Sequence, residues 1–303
     1  MAAGSRRGRR GAGGRVRRRG PQAVAPPALP TTRPGRTLAR ERVPGKAGTM
    51  TEPLWTGPAV ALVNLFDADA AVDAEGTAEH AARVVEAGIR AVVVNGSTGE
   101  AAALSDAERV ALIAAVRAAC PGVPVIAGAS GDWWQQAAAR VAGAIDAGAD
   151  AVLVAPPRLG GALTGYYARV VDAAAGVPVL AYHYPGVAGG PVPVEALPGL
   201  GVGGIKDSSG DPARFGHELG LGGDLAVYTG ASALLGYASW LGAAGAIVAA
   251  ANLVPGECLA AWDRDAAAQH VVSRTERESK ALPGGLKEAM ARQYGTSPVR
   301  RLG

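Results

Sequence analysis

Only two cysteines, four histidines and two phenylalanines occur among the 303 residues. Cys120 and Cys258 share no motif spacing, so neither a disulfide framework nor a thiolate metal cluster is expected. They read instead as small buried hydrophobes of a reducing, cytoplasmic compartment. The scattered histidines form no ligand cluster, so no metal is expected. No uninterrupted apolar run reaches the ~20 residues of a membrane span, so a soluble protein without a membrane partner is expected. A glycine-rich dinucleotide turn is also missing. The first β-branched run leads into Leu65-Phe66-Asp67-Ala68-Asp69, and no cofactor is expected.

Charge is unevenly spread. Residues 1–49 hold twelve arginines and Lys46 against one acid, Glu41, which gives that segment +12; the remainder carries −8. The basic balance therefore belongs to the tail and says nothing about the domain. The tail is rich in Arg, Gly, Pro and Ala and has no aromatic residue, so it is expected to be disordered. It has three readings: an arm for nucleic acid or another polyanion, a targeting peptide, or the product of an upstream start codon with Met50 as the true first residue. The last is preferred, because the domain pattern begins immediately after Met50; nucleic acid is then not expected as a partner. The expected division is 1–49 as the Arg-rich segment and 50–303 as one domain, with additional C-terminal helices from about residue 265.

From Pro58 onward one unit recurs. A short β-branched run is followed by a loop, an Ala-rich amphipathic stretch and a glycine. The runs are Ala59–Asn64, Ala91–Asn95, Val123–Gly128, Ala151–Ala155, Pro178–Tyr182, Val202–Lys206, Leu225–Thr229 and Ala246–Ala249. Helical patterns fall between them, as at Asp106–Ala119, Asp132–Ala147 and Leu163–Ala174. Gly88, Gly122, Gly148 and Gly176 lie where a left-handed cap would end a helix. Asp106 and Asp132 lie where an N-cap or first-turn acid belongs. Eight such units predict an α/β protein, a (β/α)8 TIM barrel with helices outside; an open doubly wound sheet is the alternative. Extra helices are expected after Asp265 and over Leu286–Tyr294.

In such barrels the chemistry sits at the C-terminal ends of the strands, and those ends supply the candidate residues. Gly201-Val202-Gly203-Gly204-Ile205-Lys206-Asp207 reads as a buried strand ending in a lysine. Strand alternation puts Val202, Gly204 and Lys206 on one face. The two glycines read as clearance in front of the ammonium. An amine in an apolar site loses its proton more easily and becomes a nucleophile toward a carbonyl; alternatively the lysine pairs with Asp207 and is merely solvated. Tyr182 shares the inward parity of Leu180 and lies one strand from Lys206, where a phenol can move a proton; it can equally be a core aromatic. His183 has the opposite parity and is assigned a structural role. Gly96-Ser97-Thr98-Gly99-Glu100 reads either as a cradle of N–H groups and hydroxyls suited to a carboxylate, or as an ordinary βα turn.

These motifs occur in order: Gly-Ser-Thr-Gly-Glu at 96–100, Tyr-x-x-Pro at 182–185, Gly-Ile-Lys-Asp at 204–207, Thr-Gly at 229–230 and Gly-Leu-Lys-Glu at 285–288. Together they resemble the dihydrodipicolinate synthase / N-acetylneuraminate lyase family of Schiff-base aldolases, over about residues 56–298. The resemblance implies a lysine imine formed with pyruvate or a related 2-keto acid, which then condenses with an aldehyde or forms by the reverse cleavage. It implies Lys206 as the imine lysine, Tyr182 as the proton-transferring tyrosine, Ser97 as the relay hydroxyl, Thr98 as the carboxylate binder and Ile247 as a backbone contact. It also implies a homo-oligomer, a dimer or a tetramer.

Two departures bear on the second substrate. Synthases of the family carry Tyr-Tyr where this chain has Pro157-Arg158, and an arginine where it has Val187; Arg158 is the candidate substitute for that arginine. The Tyr-x-Tyr-Pro and Lys-Asp pattern is similar instead to 2-keto-3-deoxy sugar acid aldolases. The expected activity is therefore a sugar-acid-type aldolase. The alternatives are 4-hydroxy-tetrahydrodipicolinate synthase and, from other classes, a keto-acid-binding barrel without turnover or a nucleic-acid-binding protein with a barrel attached.

Overall fold

The computed structural model describes residues 52–302; the expectations for segment 1–49 lie outside the described residues. Eight parallel strands close into a barrel in sequence order. They are β1 (Gly57–Ala61), β2 (Val92–Val94), β3 (Val125–Gly128), β4 (Ala151–Val154), β5 (Val179–His183), β6 (Gly204–Asp207), β7 (Ala226–Thr229) and β8 (Gly245–Val248). Each falls on an expected run. Closure is direct: β1 pairs with β8 through Ala59 opposite Ile247, and with β2 through Val60 opposite Val92.

The alternation of the strands explains why the runs are mainly apolar. Inward residues such as Val93, Leu153, Leu180, Tyr182, Tyr228 and Ile247 form one buried cluster inside the barrel. Their neighbours Val92, Val152, Ala181, Ile205, Val227 and Val248 join the larger cluster between sheet and helices. A strand with both faces covered reads as a continuous apolar run. The N-terminal end of the barrel is plugged by Trp55 stacked on Tyr228, with ring centres 4.2 Å apart.

Outside lie α1 (Ala74–Glu86), α2 (Asp106–Ala119), α3 (Trp134–Asp146), α4 (Leu163–Ala173), α5 (Pro212–Gly220), α6 (Leu235–Trp240) and α7 (Pro255–Trp262). Then α8 (Ala266–Ala281) and α9 (Gly285–Tyr294) follow the barrel. Between β5 and β6 the connection is a 3-10 turn, Val194–Gly199, which contains Pro198. The N-terminus of α2 is a capping box: Ser105 accepts from the Glu108 N–H, and the Glu108 carboxylate accepts from the Ser105 N–H. Asp106 is the expected first-turn acid, but Asp132 caps nothing. Trp133 occupies the N-cap of α3 without a side-chain bond, and the Asp132 N–H donates to Gln136 instead. Gly88, Gly148 and Gly176 have the expected positive φ. Gly122 does not, because α2 stops at Cys120 and the chain turns through Pro121. A two-stranded hairpin, Leu65–Phe66 with Val72–Asp73, was not expected; two-residue strands are too short to show alternation.

Candidate active site

Strand β6 places Lys206 between Tyr182 of β5 and Tyr228 of β7 in register. All three point into the barrel. Lys206 is only 5% exposed and Tyr182 4%, and the Lys206 Nζ lies 4.6 Å from the centre of the Tyr182 ring. The Tyr184 ring stands 6.2 Å from that of Tyr182, on the solvent side.

A Lys206–Asp207 ion pair is not formed, because consecutive strand residues face opposite ways. Asp207 points outward, where its carboxylate accepts from the Ser209 N–H at 2.8 Å and the Ser209 hydroxyl at 2.9 Å. The Arg214 guanidinium lies 3.6 Å away. On the same outward side the His183 Nδ1 accepts the Val192 N–H at 3.0 Å, and burial lowers the imidazole pKa. Glu218 completes this group, 2.7 Å from Arg214. Burial, with Asp207 nearby, raises its pKa to about 8.

The expected role of the glycines needs correction. The chain bends at Gly203, so Val202 joins the outer cluster and does not share the face of Lys206. Space at Gly204 is already filled: a Cβ there would fall 2.8 Å from Leu180 and 2.5 Å from the Ala226 carbonyl oxygen. Gly204 therefore serves packing. The glycine that makes room for the lysine is Gly230, where a Cβ would meet the Lys206 Cε at 3.0 Å and the Ser208 Oγ at 1.9 Å.

The loop after β2 is a 3-10 turn, Ser97–Gly99. The N–H groups of Gly99, Glu100 and Ala101 are consumed by the turn itself. Among the described residues, the Ser97 and Thr98 hydroxyls and N–H groups have no partner, which leaves them for a ligand. The two glycines differ. Gly96 faces open space and lines the cavity. Gly99 is needed because the Asn64 side-chain amide packs against it and donates to its carbonyl at 2.7 Å.

A cavity of about 320 Å3 opens over the ends of β2 to β5, lined by Ser97, Tyr182, Arg109, Arg140 and Arg158 among others. Ser97 and Tyr182 are thus brought to one cavity. Lys206, Thr98 and Ile247 do not line it. Lys206 lies behind the Tyr182 ring, Thr98 sits half-buried on the loop, and Ile247 is buried on the inner face of β8. Arg158 donates to the carbonyls of Gly186 and Val187, so its guanidinium occupies the rim beside Val187. Among the described residues no cluster of side chains is suited to a metal ion, and no helix is long and apolar enough to cross a membrane.

Fold and site together define a barrel enzyme whose cavity opens at the C-terminal strand ends. Residues 55–277 match the dihydrodipicolinate synthetase family, and the chain belongs to that family of lyases. A DapA-like lyase of Halobacterium salinarum is 33% identical over 258 residues, covering 79% of this chain and 85% of that protein. The 4-hydroxy-tetrahydrodipicolinate synthase 2 of Streptomyces coelicolor is 32% identical over 234 residues, covering 74% and 77%. A crystal structure of the chloride-inhibited dihydrodipicolinate synthase of Acinetobacter baumannii, complexed with pyruvate, is similar with a TM-score of 0.73. It is 25% identical and covers 82% of this chain and 94% of that one.

Sequence reasoning missed the support of the site. Glu100 is ion-paired at 2.6 Å with Lys287 of α9. Asn252, after β8, bonds to Val63, Ala61 and His80. Glu100 and Lys287 each lie in a quoted motif, so the residue types were visible; their pairing across the chain was not.

Proposed function

We propose that this lyase forms an imine between Lys206 and pyruvate or a related 2-keto acid. The observation that supports it is the side-by-side placement of the Lys206 amine and the Tyr182 phenol inside the barrel, with the Ser97–Thr98 loop free of internal partners at the neighbouring rim. The neutral Nζ attacks the keto carbon. Tyr182, through Ser97, relays the two N–H protons of the amine to the carbonyl oxygen, which leaves as water and so completes the imine. The keto acid's carboxylate lies against the Thr98 hydroxyl and N–H, with Ile247 contributing backbone. The imine withdraws electrons from the adjacent carbon, which loses a proton and adds to an aldehyde carbonyl. Run in reverse, the same step cleaves that bond, and water then releases the keto acid from the lysine. The pyruvate complex of the Acinetobacter baumannii relative supports the first substrate.

For the second substrate we favour a 2-keto-3-deoxy sugar acid over aspartate semialdehyde, because Pro157 and Arg158 replace two tyrosines and the rim arginine comes from the β4 loop. The relatives named 4-hydroxy-tetrahydrodipicolinate synthase favour the other reading. Turnover separates them. Pyruvate release from a 2-keto-3-deoxy sugar acid is expected to exceed, in kcat/KM, the condensation of pyruvate with aspartate semialdehyde, and Lys206→Ala is expected to abolish both. Faster condensation assigns the synthase activity instead; keto-acid binding without any turnover assigns a non-catalytic barrel.

An oligomer is supported by exposed apolar surface on the α2–α3 side, where Trp133 is 56% and Val110 42% exposed. The buried free thiols Cys120 and Cys258 support a cytoplasmic setting.

A further inference from the structure

After α9 the chain reverses at Gly295, which has a left-handed backbone, and its last described residues run back across the barrel to the loop after β2. The Glu100 carboxylate accepts two backbone N–H groups from this strap, Arg301 at 2.8 Å and Leu302 at 2.7 Å, on one oxygen. Its other oxygen faces the Lys287 ammonium at 2.6 Å. Lys287 is only 4% exposed and also donates to the Val299 carbonyl at 3.0 Å, so it ties strap and loop to α9. Burial raises the Glu100 pKa, but the Lys287 contact and the two N–H bonds outweigh it, and the net direction is down.

The Arg301 guanidinium forks onto Glu108 at 2.7 and 3.1 Å. It also donates to the Ala103 carbonyl at 3.0 Å and the Ala70 carbonyl at 2.7 Å. One side chain thus joins the cap of α2, the far end of the loop and the turn of the hairpin. Both Lys287 and Arg301 lie over the Phe66 ring, at 3.8 and 4.6 Å.

The conformation these contacts hold is not one the loop adopts freely. Glu100 has φ +54°, ψ +39°, a left-handed backbone that costs free energy for any residue with a side chain. It stands two residues after Thr98 and three after Ser97, in the turn that leaves their hydroxyls and N–H groups open. A loop released from Glu100 would relax out of that turn. Leu302 itself lines the cavity beside Ala101 and Ala102, so the strap reaches the site.

We propose that the C-terminal strap, acting through Glu100, is a positioning element of the Ser97–Thr98 loop and so sets the affinity for the keto acid's carboxylate. The inference rests on the proposed imine chemistry. The test compares the full chain with a chain ending at Arg300 and with Arg301→Ala, measuring borohydride inactivation against pyruvate concentration. The half-saturating pyruvate concentration is expected to rise about tenfold, the effect of roughly 1.4 kcal/mol of lost binding. The inactivation rate at saturating pyruvate is expected to fall by a smaller factor than the half-saturating concentration rises, because the loop also carries the Ser97 relay while Lys206 and Tyr182 sit on other strands. Amide exchange at residues 96–104 should accelerate in both variants. If the shortened chain does not fold, Arg301→Ala is read alone. An unchanged half-saturating concentration in a folded variant overturns the proposal, as does an equal loss at saturation. A full-length chain that forms no pyruvate adduct overturns the imine chemistry, and the strap's role falls with it.

Discussion

Tyr182 is where a single residue decides most. Its ring lies beside the Lys206 Nζ, and it also lines the cavity. Among the described residues no other tyrosine lines that cavity. Tyr228, on the other side of Lys206, turns its hydroxyl toward the Trp55 carbonyl at 3.4 Å, and burial raises its pKa. It is therefore engaged at the closed end of the barrel. Tyr182→Phe keeps the ring beside the Lys206 Nζ and removes only the hydroxyl. Imine formation is expected to slow by about 10²- to 10⁴-fold, the usual share of a positioned acid–base group, with little change in thermal stability. Rapid-quench borohydride trapping reads that rate directly, and an unchanged rate would remove the tyrosine from proton transfer.

At the scale of elements, strands were legible and their supports were not. Every β-strand of the barrel is covered on both faces, so each announced itself as a short, mainly apolar run. Tyr182 could be placed on the inner face by its parity with Leu180, whereas parity only grouped Lys206 with Val202 and Gly204. The same parity rule failed at Val202, because it assumes a regular strand and the chain bends at Gly203. It also misassigned the clearance glycine. Gly230 comes near Lys206 only because β6 and β7 are neighbours, a fact of the closed sheet and not of the local sequence. Asp132 has the residue type of a cap but lies one position before the N-cap, Trp133. The strap escaped because its bonds to Glu100 join residues about 200 positions apart, and the hairpin because its two-residue strands are too short to show a period. Arg158 illustrates the middle case. Its replacement of a tyrosine was visible as a departure, whereas its bonds to the Gly186 and Val187 carbonyls required the folded loops.

For the whole molecule, closure of the first unit against the last is carried by a buried polar group. Asn252 donates to the Ala61 and Ala249 carbonyls, which fixes its side-chain oxygen as acceptor. That oxygen takes the Val63 N–H, and His80 of α1 lies 3.2 Å away. The His80 Nε2 must then be the donor, and the ring is neutral. Burial above all, offset by the Asn252 bond and reinforced by nearby Arg83, lowers its pKa to about 4. The sign follows: between about pH 6.5 and 4 the unfolded chain takes up a proton that the folded one refuses, so stability falls as pH falls through that window. The full effect is about 3 kcal/mol. His80→Gln retains a donor and does not titrate. Urea unfolding from pH 7 to pH 4 is expected to show a shallower loss in the variant, the carboxylates being common to both. Parallel losses would mean that His80 is not the titrating group.

The central claim is that Lys206 is the covalent nucleophile, and the most direct measurement is site mapping. The protein is reduced with borohydride in the presence of pyruvate, digested, and its peptides weighed. One pyruvyl adduct is expected, on the peptide containing Lys206, absent without pyruvate and absent in Lys206→Ala. An adduct on Lys287 or any other amine, or no adduct at all, would contradict it.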